Sequence, residues 1–306
     1  MRHRLEDLLV RFVMMLVRPL PMRTVRAIGH RLGRLAFYFD NSRRRVALTN
    51  LHHAFPSRSP GEIEDIARAM FAHFAAVPME LLKFSTLTDV EMSELVDVEG
   101  GDRVNQAYQQ GRGVLFMTGH FGYWEEQGMM LALHTKPVSV LARPLDNPYL
   151  HDRLERIRSS TGNTVIYRQG AVRRILRELA ANRGVAMLID QHLHTPDAIY
   201  VDFFRRPAAT TSAMGALAAR TGAAVIPSFG YPIEGGRYRF VYDHPIEPPR
   251  DETPEGIRDF TQRCTDVLEM YVRRNPELWL WMHRRWRDSP QRPGDETAVP
   301  EARVDA

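Results

Sequence analysis

A histidine and a nearby glutamate have the residue types for acid–base chemistry. They lie in GHFGYWE, residues 119 to 125, directly after an apolar, strand-like run. Five residues along a continuous helix correspond to a rotation of about 140°, so the two side chains would not share a helical face. They can meet if His120 lies in a turn and Glu125 in the first turn of a helix, and Gly119 and Gly122 supply the necessary backbone freedom. A histidine oriented by a carboxylate is a general base near neutral pH.

The chain supplies no evident nucleophile of its own. It has no Gly-x-Ser-x-Gly motif, and its single cysteine, Cys264, falls in a predicted C-terminal helix far from His120. The substrate would then bring the nucleophile, a hydroxyl that the histidine deprotonates for attack on an activated acyl carbon. A purely structural histidine is the alternative. One cysteine also excludes a disulfide framework, which favours an intracellular protein.

A second cluster has metal-like spacing. DQHLH, residues 190 to 194, places two histidines and an aspartate after a predicted strand, as in some metal-dependent hydrolases. A hydrolase built on His120, Asp190, His192 and His194 is therefore an alternative enzyme class. No third ligand pattern accompanies the cluster, and we expect no metal site. We expect Glu126, next to Glu125, to be solvated.

The N-terminal region is basic and amphipathic. Residues 1 to 50 hold eleven arginines against three acidic residues, whereas the whole chain has a net charge of only +4. Residues 1 to 39 predict two helices, each with apolar residues along one face. The apolar runs are too short for a membrane span, and no signal-peptide cleavage site follows them. We expect helices that lie in the plane of an anionic membrane surface. Helices packed on the protein body are the alternative. The absence of a nucleic-acid-binding motif argues against nucleic acid as the partner of this basic region. The apolar positions are Leu5, Leu8, Leu9, Phe12, Val13, Leu16 and Leu20, then Val25, Ile28, Leu32, Leu35, Ala36 and Phe39.

Beyond residue 113, short β-rich runs alternate with helical patterns, which predicts a mainly parallel central sheet flanked by helices. The fold class is therefore α/β, with a helical, membrane-associating N-terminal region. The predicted organisation is a helical region over 1–95 with its amphipathic segment at 1–39, an α/β core over 96–287, and a disordered tail over 288–306. The predicted strands are 113–118, 138–143, 164–168, 185–190, 199–204, 223–229 and 238–242, and the predicted helices are 62–84, 123–133, 148–159, 170–182, 209–221 and 254–273.

Five motifs, in order, resemble the lysophospholipid acyltransferase superfamily, whose signature is His, four residues, then Asp or Glu. The version here resembles that of the lipid A late acyltransferases and the mycobacterial phosphatidylinositol mannoside acyltransferases. The resemblance spans roughly residues 20 to 287. Its motifs are NLHHAFP (50–56), GHFGYWE (119–125), LARPLDNPYLHDRLERIRSSTG (141–162), GVAMLIDQH (184–192) and LWLWMHRRW (278–286).

This resemblance implies roles for individual residues. His120 would be the base and Glu125 its orienting partner. Arg143 would bind an oxyanion or a phosphate, for which a guanidinium is suited. Asp190 would hold Arg143 or the polar head of the acceptor.

Two departures from the family pattern concern the acceptor. Tyr123 stands where relatives commonly have Asn, and FFRRP (203–207) replaces Phe-Phe-Gly-x-Pro. We expect Tyr123 and Gln191 at the rim of the acceptor site. The three C-terminal tryptophans form either an interfacial belt or part of the core.

The resulting expectation is a peripheral enzyme of the cytoplasmic face of a bacterial inner membrane. It would transfer a fatty acyl chain from an acyl carrier protein or coenzyme A thioester to a hydroxyl of a glycolipid, such as a lipid A precursor. Inner-membrane phospholipids would be its further partners, and it would need no cofactor. Apart from the metal-dependent hydrolase, the remaining alternative is a peripheral lipid-binding protein with a degenerate site.

Overall fold

A seven-stranded sheet forms the centre of the computed structural model, which describes residues 1–167, 169–195, 198–287 and 289–290. The strand order is β1-β9-β8-β2-β5-β3-β4, and neighbouring strands are parallel except for the antiparallel pair β8 and β9. A two-stranded antiparallel hairpin, β6 and β7, lies outside this sheet. The predicted α/β class with a mostly parallel central sheet is confirmed.

The strands and helices have the following bounds. The strands are β1 Val96–Glu99, β2 Val114–Thr118, β3 Val138–Ala142, β4 Thr164–Tyr167, β5 Gly184–Leu188, β6 Ala198–Phe203, β7 Arg206–Thr211, β8 Ala224–Pro232 and β9 Tyr238–Tyr242. The helices are α1 Arg2–Val17, α2 Met22–Phe39, α3 Asn41–Ala54, α4 Pro60–Phe84, α5 Asp89–Glu94, α6 Gly101–Gln109, α7 Trp124–His134, α8 Pro148–Ser159, α9 Ala171–Ala180, α10 Ala213–Thr221 and α11 Pro254–Arg274.

Most predicted elements agree with these bounds to within a few residues. Helix α4 begins at Pro60 because Ser59 and Glu62 form a capping box. Other details differ from the predictions. Strands β1 and β7 and helices α3, α5 and α6 were not predicted. The segment 199–204 belongs to the separate hairpin, and α10 begins at Ala213 because β7 occupies the preceding residues. The predicted tail, 288–306, lies outside the described residues apart from 289 and 290.

Helix α2 packs on α4 through its small residues and exposes its large ones. A Cβ placed at Gly29 would lie 2.5 Å from the Cα of Ala76, and one at Gly33 would lie 2.2 Å from the carbonyl oxygen of Phe71, so these glycines allow close contact between the helices. Large apolar side chains are exposed instead on α1 and α2, and most of them lie on the predicted apolar faces. They are Leu5, Leu8, Leu9, Phe12, Met15 and Leu16 of α1, with Leu32, Leu35, Tyr38 and Phe39 of α2.

Within the described residues, no helix combines the length and hydropathy needed to cross a bilayer.

The C-terminal tryptophans belong to the hydrophobic core. Trp279, Trp281 and Trp286 are each at most 5% exposed, and all three lie in the largest buried cluster. Of the two interpretations of this region, the structure agrees with core packing. The same cluster includes Phe37 of α2 and Phe71 of α4, so the N-terminal helices share a core with the sheet.

Candidate active site

The site lies where two adjacent parallel strands end. In the register of β2 and β5, Thr118 is opposite Leu188, and the amide of Ile189 donates to the carbonyl of Thr118 at 3.0 Å. His120 lies two residues beyond Thr118, and Asp190 lies two residues beyond Leu188. The shared register therefore brings these two residues together at the carboxyl edge of the sheet, where ligands of α/β proteins commonly bind.

Asp190 is the hydrogen-bonding partner of His120. Its Oδ1 lies 2.8 Å from Nδ1 of His120, and its Oδ2 accepts the backbone amide of His120 at 2.6 Å. The indole Nε1 of Trp279 donates to the same Oδ2 at 2.8 Å. The Asp190 side chain is 2% exposed and the His120 side chain 20% exposed. A buried carboxylate thus holds an imidazole that reaches the surface.

Each of the two glycines of GHFG is required for a different structural reason. A Cβ at Gly119 would lie 2.9 Å from Oδ2 of Asp190, so a side chain there would displace the carboxylate. Gly122 has a φ of +57°, and a Cβ there would lie 1.7 Å from the carbonyl oxygen of Gly230. The Nε2 of the buried His73 lies 3.3 Å from the carbonyl oxygen of Gly122. Burial lowers the pKa of His73 to about 3, so a neutral ring supports this turn.

The pKa values of His120 and Asp190 are both shifted from their ordinary values. Burial by itself lowers the pKa of His120, but the charge and hydrogen bond of Asp190, with a smaller contribution from the charge of Glu125, raise it above its ordinary value. Burial by itself raises the pKa of Asp190, but the charge and hydrogen bonds of His120, together with the Trp279 indole, lower it to about 2. Near neutral pH, therefore, Asp190 is ionised and accepts the proton on Nδ1 of His120.

The other ring nitrogen of His120 is its basic one. Because Nδ1 carries the proton that Asp190 accepts, Nε2 of the neutral ring has an unshared electron pair. The side-chain nitrogen of the exposed Gln191 lies 3.2 Å from Nε2. Gln191 therefore lies beside the basic nitrogen of His120.

Glu125 does not form the predicted hydrogen bond with His120. It lies in the first turn of α7, but its carboxylate faces α8, where it makes a two-point ion pair with Arg158, including Nε to Oε2 at 2.8 Å. The side chains are 12% and 16% exposed. Arg158 was not predicted as a site residue. It lies 15 residues beyond the predicted Arg143. Its position opposite α7 depends on how α7 and α8 pack, which the sequence spacing does not indicate.

Arg143 and Tyr123 lie elsewhere than predicted. The Arg143 side chain is 88% exposed and lies 3.7 Å from Asp146, so among the described residues it is not the group that Asp190 holds. Tyr123 is fully buried and donates its hydroxyl to Oε1 of Glu80 at 2.8 Å, which places it beneath the turn instead of at the acceptor rim.

Glu126 was predicted to be solvated, and this prediction is wrong. The side chain is fully buried on α7, and within the described part of the chain neither carboxylate oxygen has a hydrogen-bond partner. Burial raises its pKa well above the ordinary value, and the charge of Glu80 adds to this effect. Burial therefore favours the protonated form of this carboxyl group.

The metal-dependent hydrolase is not favoured. Across the ranges that the structure describes, no group of three or more His, Cys, Asp or Glu side chains is arranged to hold a metal ion. His192 and His194 have their ring centroids 4.2 Å apart, and Nε2 of His283 accepts the amide of His192 at 3.0 Å.

Comparison with known proteins identifies the family of this chain. The family model described as bacterial lipid A biosynthesis acyltransferase matches residues 2–288. The lipid A biosynthesis palmitoleoyltransferase of Escherichia coli (strain K12) is 26% identical over 273 residues, 89% of this chain and 87% of that protein. The lauroyltransferase of the same organism is 25% identical over 285 residues, 91% of this chain and 90% of that protein.

Two further relatives extend the comparison. The phosphatidylinositol mannoside acyltransferase of Mycolicibacterium smegmatis (strain ATCC 700084 / mc(2)155) is 26% identical over 75% of both chains. The crystal structure of the 1-acyl-sn-glycerophosphate acyltransferase from Thermotoga maritima covers 81% of this chain and 97% of that chain at 17% identity, with a TM-score of 0.38. That score is too low to support conclusions about the site. The family matches confirm the resemblance of the five motifs: this chain belongs to the bacterial lipid A biosynthesis acyltransferase family and is an acyltransferase.

Proposed function

We propose that this protein transfers a fatty acyl chain from a thioester donor to a hydroxyl group of a glycolipid such as a lipid A precursor. The observation that carries the proposal is the orientation of His120, whose Nδ1 lies 2.8 Å from a buried carboxylate while Nε2 faces the exposed Gln191. The names of the relatives support a glycolipid acceptor, because they include lipid A and phosphatidylinositol mannoside acyltransferases.

In the proposed reaction, Nε2 of His120 removes the proton of the acceptor hydroxyl. The resulting oxygen attacks the carbonyl carbon of the thioester and forms a tetrahedral intermediate. The carbon–sulfur bond then breaks, and the leaving thiolate takes the proton from the imidazolium. The products are an ester and a free thiol. Asp190 fixes the ring and stabilises its charged form during these steps.

Glu125 has a different role in this proposal from the predicted one. Its carboxylate is paired with Arg158 and acts on His120 through charge, not through a hydrogen bond. The ion pair of Glu125 and Arg158 also joins α7 to α8.

We propose that Arg143 binds a phosphate of the lipid phase. The loop that follows it contacts α1, because Nδ2 of Asn147 donates to the carbonyl of His3 at 2.9 Å. Leu145 and Tyr149, near Arg143 in sequence, are large apolar side chains that are also exposed. An exposed arginine beside exposed apolar residues suits the boundary between lipid headgroups and acyl chains.

We also propose that the N-terminal helices associate with the membrane. The exposed apolar faces of α1 and α2 would insert into the headgroup region, and the N-terminal arginines would attract anionic phospholipids. Because the candidate thioesters, acyl carrier protein and coenzyme A, are cytosolic, the enzyme would act at the cytoplasmic face of the inner membrane.

Substitution of the proposed base tests this function. We expect His120→Ala to lower thiol release from acyl thioester by about 10²- to 10⁴-fold. Asp190→Asn should cause a loss in the same range, because it disturbs the tautomer and orientation of the ring. The readouts are thiol release in the presence of acceptor lipid and mass spectrometry of the acylated product. His244→Ala, which changes an exposed histidine outside the site, is the control.

Thiol release by His120→Ala at the wild-type rate would overturn the proposal. Parallel reactions with the acyl carrier protein thioester and the coenzyme A thioester identify the donor, and reactions with lipid A precursor and with phosphatidylinositol mannoside identify the acceptor.

A further inference from the structure

A short C-terminal segment, Leu278 to His283, contacts both members of the catalytic pair; we call it the C-terminal strap. Its backbone runs along the turn that carries His120. The amide of Gly122 donates to the carbonyl of Leu278 at 2.8 Å, and the amide of Leu280 donates to the carbonyl of His120 at 3.2 Å. The strap therefore fixes the backbone on both sides of Phe121.

One side chain of the strap reaches the other catalytic residue. Trp279 is 1% exposed, and its Nε1 donates to Oδ2 of Asp190 at 2.8 Å. The other two donors to this carboxylate, among the residues described, are the amide and the ring of His120 itself. Trp279 is thus the contact that orients Asp190 independently of the histidine.

The strap is anchored at its far end. Nδ2 of the buried Asn50 donates to the carbonyls of Trp281 and His283 at 2.8 and 2.9 Å. The ring of His283 accepts the amide of His192 at 3.0 Å, next to Gln191 and Asp190. Burial lowers the pKa of His283 to about 4, so the neutral ring can serve as this acceptor. The anchor joins α3 to the loop that carries Asp190.

We propose that Trp279 is a positioning residue, which holds the Asp190 carboxylate at the angle that orients the imidazole of His120. This inference rests on the proposed function and goes beyond it, because Trp279 acts through Asp190 and touches neither the donor nor the acceptor. Two hydrogen bonds to one carboxylate oxygen and one to the other leave little freedom of rotation for the carboxylate. Without the indole donor, the carboxylate can turn and its bond to Nδ1 weakens.

Two tryptophan substitutions provide a matched comparison. Trp279→Phe removes the donor to Asp190. Trp281→Phe removes a donor of the same kind, since Nε1 of Trp281 donates to the carbonyl of Pro276 at 2.7 Å and the side chain is fully buried. Both changes remove a buried indole from one segment and should lower thermal stability alike, but only the first affects the carboxylate.

We expect Trp279→Phe to lower kcat by about 10- to 100-fold, the range that corresponds to one hydrogen bond to a charged group, with KM nearly unchanged. The acidic limb of its pH–rate profile should move to lower pH, because a weaker bond to Asp190 raises the pKa of His120 less. Trp281→Phe should keep the wild-type profile and most of kcat.

Equal losses of kcat in the two variants, or an acidic limb in Trp279→Phe that stays in place or moves to higher pH, would overturn the role of Trp279. Should Trp279→Phe fail to fold, 3-benzothienylalanine at position 279 gives the same comparison, because it keeps the two-ring shape and replaces N–H by sulfur. Failure of the proposed function itself is recognised separately, since His120→Ala would then retain thiol release.

Discussion

At the scale of single residues, the site depends on one imidazole whose two nitrogens have different environments. Nδ1 of His120 faces a buried carboxylate, and Nε2 faces the exposed Gln191. This asymmetry fixes the tautomer and leaves the basic nitrogen accessible. An exposed histidine without such a partner would interconvert between its two tautomers and would not hold its basic nitrogen in one direction.

The protonation of His120 predicts the pH dependence of the activity. The raised pKa means that the ring takes up a proton, and loses its function as a base, at a higher pH than an ordinary histidine. Activity should therefore fall on acidification with a midpoint above the ordinary histidine value, and kcat/KM measured over pH 5 to 9 checks this. The nearby groups are Glu125, His283, which is neutral, and Arg285, whose pKa burial lowers to about 10 and which stays charged in this range. A midpoint at or below the ordinary value would contradict the assigned pair.

Glu126 predicts a stabilising substitution. Its carboxyl group is buried and, among the residues described, unpartnered, so Glu126→Met should raise the free energy of unfolding by about 1 to 3 kcal/mol at neutral pH. Because burial raises the pKa of Glu126, the folded state holds this proton to a higher pH than the unfolded state, in which the ordinary value is 4.5. Wild-type stability therefore falls as pH rises above that value, and the gain from methionine should grow from pH 5 to pH 8.

Urea unfolding at several pH values measures this effect, and Glu94→Met, at an exposed position, is the control. A gain that is independent of pH would show that Glu126 is ionised in the folded protein.

The residue-level predictions placed single residues at strand ends but missed the contacts for which two elements had to meet. His120 was placed after one strand and Asp190 at the end of another, but strand order is a property of the folded sheet, so their hydrogen bond was not predicted. The shorter separation in sequence favoured Glu125 instead. The indole of Trp279 lies 89 residues beyond Asp190, and its direction follows from packing in the core.

At the scale of elements, α1 is attached to the protein by few polar contacts and leaves its apolar side chains exposed. Asp7 accepts from Arg153 of α8 at 2.7 Å and is, with Val17, one of the two buried residues of the helix. The apolar face thus has no role in the core. This distribution is typical of a helix whose second face meets lipid.

Charges on that face should weaken membrane binding. We expect the double substitution Leu8→Glu with Phe12→Glu to lower affinity for phosphatidylglycerol-containing vesicles by tenfold or more, because each side chain would lose about 1.5 to 3 kcal/mol of apolar burial. Both side chains are more than half exposed, so thermal stability should be retained. Val90→Glu, on the exposed surface of α5, is the control, and sedimentation with vesicles is the measurement. An unchanged affinity of the double variant would place the membrane contact elsewhere.

Element prediction was most accurate for buried strands and long amphipathic helices. All five residues of β2 are buried, and its apolar run is unmistakable. Strand β1 has four residues and only one of them is buried, and β7 begins Arg-Pro and contains no large apolar residue. Neither has a hydrophobic pattern of its own, because each is specified by the strand with which it pairs.

At the scale of the whole molecule, the N-terminal helices and the α/β core are joined by buried polar contacts as well as by packing. Arg26 of α2 is 2.9 Å from the fully buried carboxylate of Glu80 on α4. Glu80 also accepts the hydroxyls of Tyr123, beneath the catalytic turn, and of Tyr238 on β9, each at 2.8 Å. The N-terminal helices and the turn that carries His120 therefore share one network, which a prediction of separate segments over 1–95 and 96–287 does not convey.

The contacts around Asp190 connect parts of the chain that are distant in sequence. His120 precedes Asp190 by 70 residues, Trp279 follows it by 89, and Asn50 anchors Trp281 across 231. A partly denatured molecule with intact local helices would lack all of these links at once. Enzymatic turnover is thus a reporter of complete tertiary structure, and its loss in a denaturant titration should coincide with global unfolding.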